Sequence, residues 1–490
     1  MERDSFTPEQ PALKKNRFSE MTIGLFGIGL EAYWSQFVHL KERLNGYLAE
    51  LENKLSAIHP RVKNAGLVDS VDKAFETRRY FKTEDVDLIF IYVSTYALSS
   101  TVLPVVQKTG VPVIILNLSP GSAIDYDAFN KMTDRAAMTE EWLAYCSACA
   151  VPELGNVFLR TGIPFYQITG MLSDDPECWK EIAEWIEAAK VMKIMAGNRL
   201  GCMGHYYYGM LDIYTDLTRQ YAAFGGHIEL LEVDELAALR GGVTTEETNL
   251  RLEEFNRLFD IQQDCLPEEL KKAAITSVAL DKLVRQYQLG SLAYYYRSTE
   301  NSANQETISS IILGSSLLTA TGIPVAGEYD IKNAQAMKIM DAFGAGGSFT
   351  EYYAMDYDAD TVLMGHDGPG HIAIAEGKIK VRPLGIFHGK AGKGLSVEMS
   401  VKQGPVTLLS VVETRNGLML LTAEANAVSG PILQIGNTNS RYQFAIGARR
   451  FVQEWNQKGP AHHCAVGIGH IGSKIKKLGL LLNLDVVQVC

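Results

Sequence analysis

The stretch VDLIFIYVSTYALSSTVLPVVQKTGVPVIILN, residues 86–117, decides the fold. It opens on an apolar run, Val86 to Val93, and closes on a second one, Val111 to Asn117. Short runs that are apolar on both faces read as strands buried inside a parallel sheet. The segment between them, Leu98 to Lys108, has helical spacing and serves as the crossover that parallel strands require. The same alternation extends towards the N-terminus. Met21 to Gly29 (MTIGLFGIG) reads as a strand, Trp34 to Leu55 as a helix, Val62 to Val68 as a strand and Val71 to Tyr80 as a helix. Residues 21–190 therefore predict one doubly wound domain, with a helix over Cys178 to Val191 as its exit.

A second α/β region follows over 191–345. Its signals are a strand-like opening at Arg199, a strand at His227–Leu231, and helices at Asp234–Leu239 and Thr245–Phe259. Pro267–Tyr287 is a further helix, with proline at its favoured first position. Thr307–Ala320 reads as a buried helix. From about residue 346 the character changes. Ile379–Ile386, Ser396–Val401, Val406–Glu413 and Gly417–Glu424 read as successive strands separated by turn residues. A helix at Tyr442–Trp455 and a strand at Leu480–Val489 complete the expectation. The fold class is thus α/β. Two doubly wound, Rossmann- or flavodoxin-like domains (21–190 and 191–345) precede a mostly antiparallel, barrel-like C-terminal domain (346–490), behind a flexible leader (1–20).

A formal net charge of −11 disfavours nucleic acid or an anionic membrane surface as partner. No apolar run reaches the roughly 18–20 residues of a membrane span, and residues 1–20 lack the apolar centre of a signal peptide. A cytoplasmic protein is expected. The seven cysteines are odd in number, which argues against a disulfide framework. Cys146 and Cys149 form a C-x-x-C in an apolar helical pattern and read as a buried, inert pair. Gly24, Gly27 and Gly29 follow the first strand, but their spacing is not that of a dinucleotide fingerprint. A tight strand-to-helix turn is the simpler reading.

The chemistry concentrates late in the chain. The segment TGIPVAGEYDIKNAQAMKIMDAFGAGGSFTEYYAMDYDADTVLMGHDGPGH, residues 321–371, interleaves carboxylates and histidines with glycines. Glu328, Glu351 and His366 each fall at the end of an expected element, where functional groups of α/β proteins collect. Gly459 to His463 (GPAHH) adds two adjacent histidines, costly to bury without partners. Each residue alone is more often a surface carboxylate or a satisfied histidine, so the case rests on the clustering.

These segments resemble the L-arabinose isomerase family and, more broadly, the L-fucose/L-arabinose isomerase superfamily. GEYDIKNAQAMKIMDAFGAGGSFTE resembles the family segment that opens on a GEGD-type motif and ends on a second metal-binding glutamate. DTVLMGH resembles the DLVLGSH-type strand and histidine, GPAHH the GGxHH motif, and KVRPLGIFHGK and GPVTLLSVVE the strands of the C-terminal barrel. The resemblance implies Glu328, Glu351, His366 and His463 as metal ligands. Glu328 and Glu351 then double as the catalytic acid/base pair, with His371, His462 and Tyr33 as weaker candidates for sugar contact. A mixed O/N ligand set suits Mn²⁺, with Co²⁺ or Fe²⁺ as alternates. The implied activity is aldose–ketose isomerisation of a free sugar through an enediol, in a homotrimer or homohexamer.

The N-terminal third departs from the arabinose-using members. GIGLEAYW (27–34) stands where they carry a GSQHLYG-type motif, STYALSS (94–100) replaces HTFSP, and ILNLSPG (115–121) replaces QFHTQFN. The sugar is therefore left open between L-arabinose, another pentose and a deoxy-sugar. A nucleotide-dependent oxidoreductase and a non-catalytic sugar-binding protein on the same fold are the readings from other classes.

Overall fold

The computed structural model describes residues 21–297, 302–384 and 394–490; the expected leader, 1–20, and the end of the strand expected over Ile379–Ile386 lie outside them. The chain divides into two compact units, one ending at Lys193 and one running from Ile194 to Cys490.

The first unit holds a five-stranded sheet in the order Val62–Val68, Ile23–Ile28, Leu88–Tyr92, Val113–Ser119, Phe165–Met171. Every neighbouring pair is parallel, and the order is flavodoxin-like. Leu88 to Tyr92 are all buried, as a strand covered on both faces must be. Ile89 and Ile91 share one core with Phe26, Val102, Val105 and Phe158. The early glycines are packing devices. A Cβ on Gly24 would sit 2.9 Å from Val86, one on Gly27 2.8 Å from Leu67, and one on Gly29 3.0 Å from the Trp34 ring. Side chains of the chain itself pack closely against all three positions.

Two expectations for this unit are corrected. The long helix begins at Leu40, not Trp34, after a 3-10 turn at Glu31–Tyr33. The Trp34 indole N–H donates to Asp69 at 2.8 Å, which holds that segment outside the helix. Cys146 and Cys149 form a disulfide instead of an inert buried pair, with Cys146 buried and Cys149 exposed. They lie in the turn between helices Arg135–Ala144 and Val151–Thr161, where the chain can bring the two sulfurs together. The other five cysteines are free.

The second unit contains two sheets. The first has four parallel strands in the order Val325–Ala326, Ser291–Tyr295, Arg199–Gly204, His227–Leu231. The second is mostly antiparallel, with ten strands. Its central run is Gly417–Val428, Gly404–Thr414, His463–Ile468, Gly346–Asp356, Thr361–His366, Thr438–Gln443. Gly417–Val428 also pairs with Thr438–Gln443.

Helix Ile331–Ala342 is shared by both sheets. It packs against Val325–Ala326 and Ser291–Tyr295 of the parallel sheet and against Gly346–Asp356, Gly404–Thr414 and His463–Ile468 of the antiparallel one. Ile331 to Asp341 are all buried, although Lys332, Asn333, Gln335, Lys338 and Asp341 are polar. Buried charge needs partners, and the lysines have them. The Lys338 ammonium donates to the Gly322 carbonyl at 2.9 Å and lies 3.3 Å from the Asp341 carboxylate, while that of Lys332 donates to the Asp212 carbonyl.

Three further expectations differ from the structure. Thr307–Ala320 is broken into helices Ser302–Ser309 and Ile312–Ala320. Tyr442–Trp455 is a strand, Thr438–Gln443, followed by a helix, Ala448–Gln457. Gly447, at φ 80°, separates them, and the Asp360 carboxylate accepts the first free helical N–H, that of Ala448. Leu480–Val489 is the end of a helix, Gly472–Leu482, and then a strand, Asp485–Gln488. Asn483, left-handed at φ 54°, stops the helix. No described helix is long and apolar enough to cross a membrane.

Candidate metal centre

Three local features of the second unit bring the candidate side chains together. Strand Gly346–Asp356 runs antiparallel to both Thr361–His366 and His463–Ile468, and Glu351 lies opposite both Gly365 and His463. Directly opposed residues project to the same face, so Glu351 and His463 leave the sheet side by side. Cys464 is next along that strand and points the other way. It belongs to the apolar core with Leu408 and Val466, and burial pushes its thiol up to about 12. A thiolate ligand is therefore not part of this site.

The second feature is the turn after strand Val325–Ala326. Glu328 and Tyr329 are left-handed, at φ 58° and 61°. Two such residues in succession, neither of them glycine, are strained and persist only where their surroundings hold them. The Tyr329 N–H donates to the Tyr294 carbonyl at 2.9 Å, and the Tyr207 N–H donates to the Glu328 carbonyl at 3.2 Å. The third feature is Asp330, wholly buried at the N-terminus of helix Ile331–Ala342. Its Oδ1 accepts the Asn333 N–H at 2.9 Å, and its Oδ2 lies 2.9 Å from His463 Nδ1.

The result is two overlapping groups. Ligand atoms of Glu328, His366 and His463 lie within 4.8 Å of one another, and so do those of Glu351, His462 and His463. His463 belongs to both. Its Nε2 is 3.3 Å from Glu328 Oε2, without the angles of a hydrogen bond. His462 Nε2 is 2.5 Å from Glu351 Oε2. The rings of His366 and His463 are 5.1 Å apart and nearly perpendicular, each 4.4 Å from the Phe349 ring. His366 Nδ1 and His463 Nε2 are buried and have no hydrogen-bond partner. Orphaned buried nitrogens beside carboxylates are costly unless something binds them. This donor set fits a divalent cation.

The charges of these groups are strongly coupled. Burial opposes a charge on His463, but Asp330 and Glu328 outweigh it and push the imidazole up to about 9. Burial and the neighbouring His463 push His366 down to about 4, against the pull of Glu328 and Glu351. Glu351 is held below its usual range. Burial raises it, but the hydrogen bond from His462 and the charges of His366 and His463 win. His462 rises, chiefly through that same bond to Glu351.

Of the three weaker candidates, only His462 joins a group. His462 is exposed beside Glu351, with its backbone N–H on Asp212 Oδ2 at 2.7 Å. His371 is completely buried, and neither ring nitrogen has a partner. Tyr33 lies in the 3-10 turn of the first unit. Asp330 and Asp212 escaped the sequence reading. For Asp330 a signal was present: an aspartate directly before a helix, with asparagine three residues on, marks a cap.

The chain is similar to several known proteins. Residues 346–485 match the model of the L-arabinose isomerase C-terminal domain. The chain is 22% identical over 351 residues to L-arabinose isomerase of Nocardioides sp., covering 68% of each chain. It is 22% identical over 321 residues to L-arabinose isomerase of Bacillus subtilis, covering 64% of each. It is also similar to sulfoquinovose isomerase of Alkalicoccus urumqiensis, at 26% identity over 174 residues, which is 35% of this chain and 39% of that one.

Two predictions follow from the geometry. Asp330→Asn keeps the helix cap but removes the charge behind His463. Affinity for a divalent cation such as Mn²⁺ should fall about 10- to 100-fold by calorimetry, and the melting temperature should fall as well, because a buried pair loses one charge although asparagine caps as well as aspartate. His371 sits near 4 in the fold, against an unperturbed value near 6.5. A lowered histidine means that the unfolded chain binds more protons. Stability is therefore intact above about pH 6.5 and declines as pH falls towards 4, by about 3 kcal/mol for a shift of this size. His371→Leu should lose much less of its urea midpoint between pH 7 and pH 4.5 than the parent chain does, and an equal loss would refute the assignment.

Proposed function

We propose that this chain, a member of the L-arabinose isomerase family, is an aldose–ketose isomerase that depends on a divalent cation and converts a free sugar through an enediol. The observation that carries this reading is the convergence of two carboxylates, Glu328 and Glu351, on the buried imidazole shared by both groups, His463. We assign Glu328, Glu351, His366 and His463 as the ligands. Mn²⁺ suits two oxygens and two nitrogens, with Co²⁺ or Fe²⁺ as alternates. A cation held there would supply Lewis-acid polarisation of the carbonyl and the adjacent hydroxyl of an open-chain sugar.

The chain's own residues then have to move two protons. One must leave C2 and return to C1; the other must pass between the two oxygens. Glu328 and Glu351 are the carboxylates within reach of one point, and each can accept and return a proton. Glu351 is ionised across the neutral range, because His462 and the neighbouring imidazoles hold it low. It also has an outlet, since its partner His462 is exposed. We assign Glu351 the C–H proton on that ground, because a proton lodged there can exchange with water through His462. Glu328 is left with the hydroxyl proton. Asp330 fixes the ring of His463, and Phe349 walls the two buried histidines from behind.

The substrate class is proposed from the relatives, whose names span arabinose and sulfoquinovose. Both are free aldoses, so the reaction is common ground and the sugar is not. We further propose a homotrimer or homohexamer in the cytoplasm. A neighbouring subunit would then present the segment around Tyr33 to the sugar.

The test is chelator-treated protein with Mn²⁺ restored, offered aldopentoses, aldohexoses and 6-deoxy sugars. Mn²⁺-dependent ketose from at least one of them is expected. Tight Mn²⁺ binding without ketose from any sugar would leave a non-catalytic binding protein. Glu328→Gln and Glu351→Gln should each lower turnover about 10²- to 10⁴-fold with an unchanged circular dichroism spectrum. Substrate deuterated at C2 should release its label to water through the Glu351–His462 pair. Complete retention in the product would indicate a hydride shift and sink the enediol route.

A further inference from the structure

The first unit carries a motif that the isomerase reading does not use. Cys146 and Cys149 are bonded to each other in the turn that joins helices Arg135–Ala144 and Val151–Thr161. A disulfide stabilises a fold mainly by closing a loop in the unfolded chain, and its effect grows with the length of that loop. With a sequence separation of 3, this bridge closes one of the shortest loops available and adds little as a staple. Nor does the chain rely on a disulfide framework. The other five cysteines are free, and four of them are buried.

Both helices are anchored without the bridge. At the first, the Arg43 guanidinium is 2.5 Å from Glu141 Oε2 and 5.6 Å from the Tyr145 ring, and the Thr95 hydroxyl donates to the Leu143 carbonyl at 2.8 Å. At the second, the Glu153 carboxylate accepts the Ser99 N–H at 2.8 Å and the Tyr96 hydroxyl at 3.2 Å, while Leu154 and Phe158 lie in the core of the unit. Opening the bridge therefore leaves both helices held. The two cysteines have different surroundings. Cys146 is 8% exposed, and its N–H donates to the Leu143 carbonyl at 3.2 Å, which ties it to the end of the first helix. Cys149 is exposed and stands directly before Ala150, the residue at the head of the second helix, where no side chain provides a cap. A helix N-terminus favours a thiolate over a thiol.

We propose that Cys146 and Cys149 form a thiol–disulfide exchange site, a reversible redox couple whose co-substrate is a dithiol. This site is independent of the isomerase reading. A thiolate of the dithiol attacks Sγ of Cys149, the exposed partner. The Cys146–Cys149 bond breaks, and its electron pair leaves on the Cys146 sulfur, which takes up a proton. The second thiolate of the dithiol then attacks the first in the mixed disulfide, and Cys149 departs as a thiolate. The bridge has gained two electrons, and the dithiol has become its own disulfide. In the oxidising direction a disulfide is attacked by the Cys149 thiolate, and Cys146 resolves the mixed disulfide by re-forming the bridge. The backbone keeps Cys146 in place for that step, with the two Cα atoms 6.0 Å apart. A single short bridge among free thiols is the pattern of a disulfide that turns over and does not hold a scaffold together.

The test counts accessible thiols on the native full chain. Protein equilibrated with oxidised glutathione, or with dithiothreitol, is desalted, treated with a maleimide and mapped by peptide mass, so that label on Cys490 is scored apart. The oxidised protein should leave Cys149 unlabelled and free of glutathione. The reduced protein should label Cys149 in native buffer and Cys146 only in denaturant, with an unchanged circular dichroism spectrum, and reoxidation should abolish the label. A bridge that resists dithiothreitol until urea unfolds the chain would be a staple, and thiols that never bridge would be an inert pair. Either result overturns the couple, and so does loss of the folded spectrum on reduction. Two variants identify the sulfur that is attacked. With oxidised glutathione, Cys146→Ser should gain the mass of one glutathione on Cys149 and keep it, because nothing resolves it, whereas Cys149→Ser should gain none on Cys146. Equal modification of both variants would refute Cys149 as the point of exchange.

Discussion

The contact between Asp330 and His463, buried on both sides, is the constraint on which the rest of the site depends. Asp330 does two jobs with two oxygens. One caps helix Ile331–Ala342, and the other receives Nδ1 of an imidazole from a strand of a different sheet. The helix that joins the parallel and antiparallel sheets is thereby registered against the strand that carries His463. Glu328, two residues before Asp330, inherits that registration. Its left-handed backbone, and that of Tyr329, would be unfavourable in a free loop. Here the cap on one side and the bonds to Tyr207 and Tyr294 on the other leave the turn no alternative.

The same contact sets the electrostatics. Two imidazoles whose rings lie 5.1 Å apart are driven in opposite directions, His463 up to about 9 and His366 down to about 4. Both are buried, so burial alone cannot separate them. What differs is the partner. His463 has a carboxylate at each nitrogen, Asp330 at Nδ1 and Glu328 at Nε2. His366 has none bonded to it, and it feels the charge on His463 as a repulsion. Positive charge is therefore favoured at one point in the cluster and disfavoured beside it. A cation that binds at His463 Nε2 must displace the proton there, whose presence the charges of Asp330 and Glu328 favour, so its affinity rises with pH until that proton is gone. His366, already neutral, offers its lone pair at no such cost.

Much of this was legible in the sequence, and the exceptions have physical causes. Continuous apolar runs such as Leu88–Tyr92 have one outcome, a strand covered on both faces. The clustering of Glu328, Glu351, His366 and His463 pointed to one site because charged groups and glycines rarely interleave in a core. Boundaries failed where a single residue's conformation decided them. Gly447 and Asn483 each end one element and begin another, and no periodicity reveals a positive φ. The long apolar helix expected over Thr307–Ala320 breaks at Ser310, a change too local for composition to register. Asp330 was missed because its cap signal accounts for only one of its oxygens. The second partner lies 133 residues further along the chain, and that proximity exists only in the fold.

The division of labour in the chain follows from the same distinction. Residues 346–485, which include the strands that deliver Glu351, His366 and His463, match the L-arabinose isomerase C-terminal domain. On the proposed reading those positions would answer to a cation and two moving protons, whose demands do not change with the sugar. The segments that depart from the arabinose-using pattern, 27–34, 94–100 and 115–121, lie in the five-stranded unit and contribute none of the clustered ligands. The tyrosine-rich ends at 205–207 and 295–297 adjoin the cluster without belonging to it. On the proposed reading, substrate choice would drift outside the clustered ligands while the reaction stays fixed. A sugar is distinguished by what lies beyond its first two carbons, and beside the cluster the backbone N–H groups of His205 and Tyr207 donate to the carbonyls of Tyr295 and Glu328. Their positions are tied to the turn that carries Glu328. Under the proposed isomerase reading, a change of sugar would leave Asp330 and His463 untouched, because that buried pair registers the ligands of the cluster and not the sugar.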